Sequence, residues 1–280
     1  MVGRAARHTL VVWVAAILLL AGCSSGSADR PESSTSTAPT VSPTSTVTTT
    51  VLPRPVVVLD PGHGGAQPGA IGPSGLAEKE VNLDVARRAA VALLAEGVDA
   101  VLTRDGDHCE TIGYRVAFAA RRRPEVFVSI HHNADPDGPS DGPGSETYFQ
   151  YRSAESKRLS GILYEEIAAA LRPFAAEWVG DTDAGAKWRL NDRDGDYYGI
   201  LRLAGEQGMT ASLVELAFIS NPSEEALLRL DDVRQAEAEA LARGILRYLR
   251  TPDPGSGFTI PYPRSSGPST SGPRCTDPLP

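Results

Sequence analysis

Residues 56–65 read VVVLDPGHGG, a short apolar run that stops abruptly at a polar, glycine-rich turn. An unbroken run of Val and Leu is typical of a strand that is covered on both faces, as in parallel sheets. Further along the chain, apolar segments of strand length alternate with segments whose apolar residues recur at helical spacing. This alternation predicts an α/β fold with a mostly parallel sheet.

The predicted elements follow the chain in that alternating order. Strands are expected at residues 56–59, 98–102, 126–130 and 212–218, and a more alternating segment, 146–151, suits an edge strand. Helices are expected at residues 81–95, 114–122, 156–171 and 236–249. Asn221, Pro222 and Glu224 form an N-cap, first-turn proline and reciprocal acid that predict one more helix start. The folded unit is therefore expected at residues 54–250, as a single domain.

The first 22 residues have the pattern of an export signal. Arg4 and Arg7 precede an uncharged stretch, residues 10–22, which is shorter than the roughly 20 residues needed to span a bilayer. The stretch ends in Leu-Ala-Gly before Cys23, which resembles the lipobox of bacterial lipoproteins, where the cysteine carries a lipid. We therefore predict a signal peptide at residues 1–22 and a membrane attachment only through a lipid on Cys23. A plain secretory peptide is the alternative.

Two segments beside the folded unit are not expected to form regular structure. Residues 24–53 contain eight Ser, eight Thr and four Pro, so they cannot bury enough apolar surface to offset their ordering entropy. We predict a disordered tether at residues 23–53. The last segment, residues 251–280, contains eight prolines and is expected to be an irregular tail.

The charge of the chain restricts its partners. Its 27 basic and 35 acidic residues give a formal net charge of −8. Nucleic-acid binding needs a basic surface that neutralises phosphates, so we expect no nucleic-acid partner. We also expect a monomer.

Three predicted strands carry polar groups in places where an apolar core should reject them. His63 lies in the turn after the first strand, His131 and His132 end the third, and Glu215 interrupts the last. An ionised carboxylate within an apolar strand is costly unless it is paired or lies near a metal. Because ligands bind outside the carboxyl ends of parallel strands, these groups are expected to share one site.

The residue types in this group point to a metal. Two histidines and a carboxylate are a standard zinc set, and catalytic zinc sites keep a further position for water. The turn around His63 is not a P-loop, because no Lys-Ser or Lys-Thr pair follows it. The carboxylate ligand is expected at the start of the next helix, where Glu78 and Glu80 compete and spacing does not decide between them.

Five short blocks of the chain form a recognisable series. In order they are DPGHGG at 60–65, EKEVNL at 78–83, LTR at 102–104, SIH at 129–131 and VELAFISNP at 214–222. Together they resemble the zinc-dependent N-acetylmuramoyl-L-alanine amidases of the third amidase class, over roughly residues 55–250. The resemblance implies a sheet of about six strands flanked by helices. It also implies hydrolysis of the amide that joins N-acetylmuramic acid to L-alanine in peptidoglycan.

The resemblance assigns roles to four residues of this sequence. His63, Glu78 and His131 would bind one zinc ion per chain, and Glu215 would be the catalytic carboxylate that carries the proton of the attacking water. The implied partner is peptidoglycan, with the enzyme exported, held at the cell membrane and facing the cell wall. Two other functions stay open: a zinc peptidase that cuts within the stem peptide, and a non-catalytic peptidoglycan-binding lipoprotein.

Other residues near these blocks are interpreted structurally. His132 stands where the family usually has Ala, and neighbouring side chains on a strand point to opposite faces, so we expect a packed or surface histidine. Arg104 is expected to form a salt bridge with Asp105 or Asp107 and not to stabilise an oxyanion. Whether residues 180–198 fold over the site stays open.

Two cysteines remain once Cys23 carries a lipid. Cys109 and Cys275 would then form an even pair in an oxidising compartment. We predict a disulfide between them, which would fix the proline-rich tail near the loop at residues 105–113. Two free thiols are the alternative.

Overall fold

The computed structural model of the chain describes residues 53–135, 137–138, 144–174, 184–265 and 275–278. The predicted signal peptide and all of the predicted tether except residue 53 lie outside these ranges. Within them, none of the helices has the length and apolar character needed to cross a membrane.

A six-stranded sheet forms the centre of the domain. Its strands are β1 (Val56–Pro61), β2 (Asp99–Leu102), β3 (Val126–Asn133), β4 (Glu146–Phe149), β5 (Gly185–Lys187) and β6 (Ala211–Phe218). They lie in the order β2-β1-β3-β6-β4-β5, and only the pairing of β4 with β6 is antiparallel. The predicted α/β fold with a mostly parallel sheet is therefore confirmed.

Helices cover both faces of this sheet. They are α1 (Glu78–Ala95), α2 (Ile112–Ala120), α3 (Ala154–Leu171), α4 (Gly199–Glu206), α5 (Pro222–Leu228) and α6 (Asp231–Arg250). The buried side chains of α1, α3, α5 and α6 share one core with Val57 and Leu59, and those of α2 and α4 share a second core with Val58. The apolar run of β1 thus packs on both faces, as its sequence predicts.

The strand alternation also decides where the polar residues of the sheet point. Val58 faces the α2 and α4 side, so Asp60, two positions later, faces the same side. By the same rule, Glu215 shares the face of Leu213, and Glu146 shares the face of Tyr148. The α2 and α4 side therefore collects the acidic groups of three strands.

The structure corrects one predicted element and adds two. The prediction of an edge strand at residues 146–151 is wrong, because β4 lies between β6 and β5 and the edges are β2 and β5. The sequence patterns did not predict β5 or α4. Both are short, with three and eight residues, and β5 contains Gly185 and Lys187 in place of an apolar run.

The tail after α6 contains no helix or strand in its described parts, 251–265 and 275–278, yet it packs on the domain. Ala186 of β5 donates its N–H to Gly257 and accepts a hydrogen bond from Thr259, so the tail runs beside β5. Cys275 forms a disulfide with Cys109, which confirms the predicted pairing and places the tail's end at the loop before α2.

Removing this disulfide should destabilise the domain. The bond joins residues separated by 166 positions, and closing so long a loop stabilises by up to about 5 kcal/mol in the chain-entropy model. We expect Cys109→Ser/Cys275→Ser to lower the free energy of unfolding accordingly, as measured by urea unfolding without reductant. Equal unfolding midpoints for the variant and the unreduced wild type would contradict this.

Candidate active site

The turn after β1 presents His63 in an unusual backbone conformation. His63 has a φ of 62°, in the left-handed region that residues with a Cβ rarely adopt. Just before it, Gly62 donates its N–H to the Ile130 carbonyl, so the turn stays attached to β3. A Cβ on Gly62 would lie 2.1 Å from Cε1 of His131, so only glycine leaves room for the second histidine. Such strain persists where the surrounding structure fixes the backbone.

A buried ion pair fixes the base of this turn. Asp60 accepts hydrogen bonds from the Thr103 and Ser129 hydroxyl groups and from Arg115 at 2.9 Å. Arg115 also donates to the carbonyl of His63. Burial alone would raise the pKa of Asp60, but Arg115 and the two hydroxyl groups outweigh it and hold this pKa below its ordinary value.

A second buried arginine holds the turn from the other side. Arg104 is 1% exposed and donates four hydrogen bonds, all to backbone carbonyls: those of Pro61, Gly62, Lys79 and Gly106. Its predicted structural role is confirmed, but its predicted partners are wrong. Asp105 pairs with Arg87, and Asp107 pairs with Lys79. Burial, together with repulsion from Arg115, lowers the pKa of Arg104 to about 10, so it stays charged at neutral pH.

Glu78, the first residue of α1, brings the two histidines together. Its Oε2 lies 3.1 Å from Nε2 of His63, and its Oε1 lies 2.9 Å from Nδ1 of His131. One ligand atom from each of the three residues lies within 4.8 Å of the others. Glu80 is exposed, so of the two competing carboxylates only Glu78 reaches the cluster. The cluster of predicted zinc ligands is therefore assembled by the fold.

The three donors fit a zinc-type ion. Zinc binds imidazole nitrogen and carboxylate oxygen at about 2.0–2.2 Å in tetrahedral geometry, which places ligand atoms roughly 3.3–3.5 Å apart. His63 and His131 contact different oxygens of Glu78, at 3.1 Å and 2.9 Å, and one ligand atom from each residue lies within 4.8 Å of the others, a range that includes this spacing. Nearby, a Cβ on Gly69 would lie 2.4 Å from Glu78 Oε2 and 2.7 Å from Cδ2 of His63, so glycine keeps this space open.

Hydrogen bonds behind the cluster orient Glu78. Ala70 donates its N–H to Oε2, and Asn82 donates its side-chain amide to Oε1. His132 lies 2.7 Å from Oδ1 of Asn82 and 3.4 Å from Glu237, and it is 1% exposed. Of the two predicted positions for His132, packed or at the surface, the structure shows the packed one. Through Asn82, it supports the orientation of Glu78.

Glu215 lies beside the cluster. It is opposite His131 in the pairing of β3 with β6. Among the described residues, its buried Oε2 has no hydrogen-bond partner. Burial, with repulsion from Glu78 and Glu146, raises the pKa of Glu215 well above its ordinary value. A buried carboxylate with a free oxygen and a raised pKa is suited to accept and return a proton.

A cavity of about 180 Å³ opens next to these groups. Its lining includes His63 and His131, together with Ile112 of α2 and Tyr198, which precedes α4. The sequence left open whether residues 180–198 fold over the site. Of these, residues 180–183 lie outside the described residues, and the rest of the segment ends at Tyr198, which lines this cavity. Glu110 also lines the cavity, and its buried Oε2 has no hydrogen-bond partner within the described ranges.

Several polar residues of the site region were missed by the sequence analysis. They are Asn82 behind the metal cluster, Glu110 in the cavity wall, Glu146 opposite Glu215, and Lys187 and Tyr262, which donate to Glu146. Asn82 had a usable signal, because it lies four residues after Glu78 and so on the same helix face. Lys187 is one of only three lysines in the chain.

Comparison with known proteins identifies the family. The sequence profile of the Amidase_3 family, described as N-acetylmuramoyl-L-alanine amidase, matches residues 57–247. The chain therefore belongs to this family of amidases.

Individual relatives agree with that membership. N-acetylmuramoyl-L-alanine amidase LytC of Bacillus subtilis is 38% identical over 205 residues, covering 71% of this chain and 37% of LytC. N-acetylmuramoyl-L-alanine amidase AmiC of Neisseria meningitidis is 33% identical over 228 residues, covering 71% of this chain and 53% of AmiC. The solved structure of N-acetylmuramoyl-L-alanine amidase AmiC2 of Nostoc punctiforme matches with a TM-score of 0.59 and 34% identity, covering 70% of this chain and 98% of that one. The chain thus spans about half or less of the length of the two curated relatives.

Metal binding should distinguish the two adjacent glutamates of α1. We expect Glu78→Gln to lose most of its bound divalent metal, because Glu78 contacts both histidines, and the exposed Glu80→Gln to keep it. Metal content of the purified variants after dialysis measures this. Loss of metal in Glu80→Gln with retention in Glu78→Gln would reverse the assignment.

Proposed function

We propose that the chain is a zinc-dependent N-acetylmuramoyl-L-alanine amidase, which hydrolyses the amide between N-acetylmuramic acid and L-alanine in peptidoglycan. One observation carries this proposal: three side chains of types that can hold a metal ion lie together beside Glu215, a buried carboxylate whose Oε2 has no partner among the described residues. Such a pairing suits metal-assisted hydrolysis. Membership of the Amidase_3 family supports the choice of bond.

His63, Glu78 and His131 would hold the zinc, one ion per chain. Zinc bound there supplies Lewis acidity, which polarises an amide carbonyl and makes water easier to deprotonate. The protein's own contribution is to orient these side chains. Asn82 and the Ala70 N–H orient the carboxylate of Glu78, and Arg115 holds the backbone of His63.

Glu215 would carry the proton. As water adds to the carbonyl carbon, the Glu215 carboxylate takes one proton from it. The C–N bond then breaks, and Glu215 returns that proton to the departing nitrogen, leaving a free lactyl carboxylate on the sugar and a free amino group on L-alanine. General acid–base help of this kind is worth about 10²–10⁴ in rate.

We also propose that the enzyme works outside the cell, attached to the membrane through a lipid on Cys23. The lipobox-like ending of the leader at residues 20–23 supports this. A tether of residues 23–53 would reach roughly 30 Å on average as a random coil, which lets the domain reach the cell wall above the membrane. The monomeric state stays a prediction.

Product analysis of digested peptidoglycan tests the proposed reaction. An amidase is expected to release new L-alanine amino termini in equal number to new lactyl carboxylates. A zinc peptidase would instead create ends within the stem peptide, and a wall-binding protein would create none. Either of these two outcomes would contradict the proposal.

Neutralising Glu215 should separate metal binding from catalysis. Glu215→Gln keeps the shape of the side chain but cannot accept the proton, so the hydrolysis rate should fall by about 10²–10⁴. Zinc content and melting temperature should match the wild type, since a neutral amide is easier to bury than a carboxylate. Glu80→Gln, which neutralises an exposed acid, is the matched control. Near-normal hydrolysis by Glu215→Gln, or a loss explained wholly by missing zinc, would refute the role.

A further inference from the structure

Three side chains lie side by side at one level of the sheet. The strand register places His131 of β3 opposite Glu215 of β6, and Glu215 opposite Glu146 of β4. Residues directly opposite each other on neighbouring strands point to the same face of a sheet. Glu146 is therefore the immediate neighbour of Glu215 on the side away from the metal cluster.

Glu146 is held by four hydrogen bonds. Its Oε1 accepts from Lys187 Nζ at 2.8 Å and from the Tyr262 hydroxyl at 2.6 Å. Its Oε2 accepts from the Asn133 amide at 2.7 Å and from the Tyr148 hydroxyl at 2.6 Å. The carboxylate is 0% exposed, and its pairing with Lys187 balances its charge. A carboxylate with four fixed donors has no freedom to turn.

Both tyrosine hydroxyl groups act as donors at neutral pH. Burial raises the pKa of Tyr148 and of Tyr262, and the neighbouring Glu146 raises both further. The hydroxyl groups therefore keep their protons. Each neutral hydroxyl group can then donate a hydrogen bond to Glu146 without charge repulsion.

Glu215 differs from its neighbour in this respect. A group that must take up and release a proton cannot have its working oxygen occupied by a fixed donor. Within the described residues, Glu215 Oε2 is indeed without a hydrogen bond. Its position must then be set by the groups packed around it, and Glu146 is the rigid polar neighbour on the β4 side.

Tyr262 reaches Glu146 from outside the region that matches the family. The family match ends at residue 247, and Tyr262 lies in the tail. It bridges to Arg189, next to β5, and its ring lies 4.3 Å from Lys187 Nζ and 6.2 Å from the Tyr148 ring. Beyond it, the disulfide of Cys275 attaches the tail to the domain a second time.

We propose that Tyr262 is a positioning residue for the hydrolysis: its hydroxyl group holds Glu146 in place beside Glu215, which makes the C-terminal tail a working part of the active site. This inference rests on the proposed function, because it takes Glu215 as the proton carrier. Tyr262 touches neither the metal cluster nor the cavity described above. It should therefore affect turnover and leave zinc binding and substrate affinity unchanged.

Removing the hydroxyl group alone tests this. In the full chain, Tyr262→Phe keeps the ring, so we expect kcat on a soluble muramyl peptide to fall about tenfold, since small displacements of a catalytic group are costly. KM should stay within about twofold, and zinc content should equal that of the wild type. Tyr248→Phe, which removes a hydroxyl bonded to Glu155 on the surface, is the matched control and should leave kcat unchanged.

A double-variant cycle shows whether the effect passes through Glu146. If Tyr262 acts through Glu146, Tyr262→Phe should lower kcat little further in a Glu146→Gln background. Equal losses in both backgrounds would overturn the inference. If Glu146→Gln does not fold, Tyr262→Phe alone decides the test. The inference is overturned if its kcat is unchanged, or if its loss of activity is explained by a change in KM, zinc content or melting temperature.

Glu215→Gln in the same assay separates this inference from the proposed function. If Glu215→Gln is inactive and Tyr262→Phe is fully active, only the role of Tyr262 fails. If Glu215→Gln retains full activity, the proton-carrier role fails, and the positioning role of Tyr262 fails with it.

Discussion

Arg115 of α2 reaches Asp60 at the end of β1 at a distance of 2.9 Å, and the two side chains are only 4% and 2% exposed. A buried ion pair offsets its desolvation cost only when further hydrogen bonds satisfy both groups. Here Thr103 and Ser129 donate hydrogen bonds to Asp60, and Arg115 donates hydrogen bonds to backbone carbonyls of the turn. Since one of those carbonyls belongs to His63, the ion pair fixes the backbone that carries the first imidazole.

The remaining parts of the site depend on that turn. Gly62 leaves room for the ring of His131, and the Gly62 carbonyl binds both Arg104 and Asn82. Asn82 in turn orients Glu78, so the same few residues that close the turn also place the carboxylate between the histidines. Breaking a buried pair of this kind costs about 3–5 kcal/mol, because it leaves an unpaired charge. The same contacts hold His63 at a strained φ.

The parts of the molecule that follow simple rules of strand order could be predicted from the sequence. Because parallel strands end at one edge, His63, His131 and Glu215 could be placed together without a structure, and Glu78 followed from resemblance to the family. The prediction of an edge strand at residues 146–151 was wrong for a physical reason. Alternating polar residues normally indicate a solvent-facing side, but in β4 the polar side carries Glu146 and Tyr148, which are buried in a hydrogen-bonded network. The partners of Glu146 come from positions up to 116 residues away, so no local pattern reveals them.

Anomalous X-ray diffraction at the zinc absorption edge, from crystals of the purified chain, tests most directly whether the cluster of His63, Glu78 and His131 is the metal site. One strong peak per chain is predicted, about 2.0–2.2 Å from nitrogen atoms of His63 and His131 and from an oxygen of Glu78. Glu215 should lie beyond bonding distance of that peak. A peak bound to Glu215, or a peak elsewhere with the three ligands unmetallated, would contradict the proposed division between metal ligands and proton carrier.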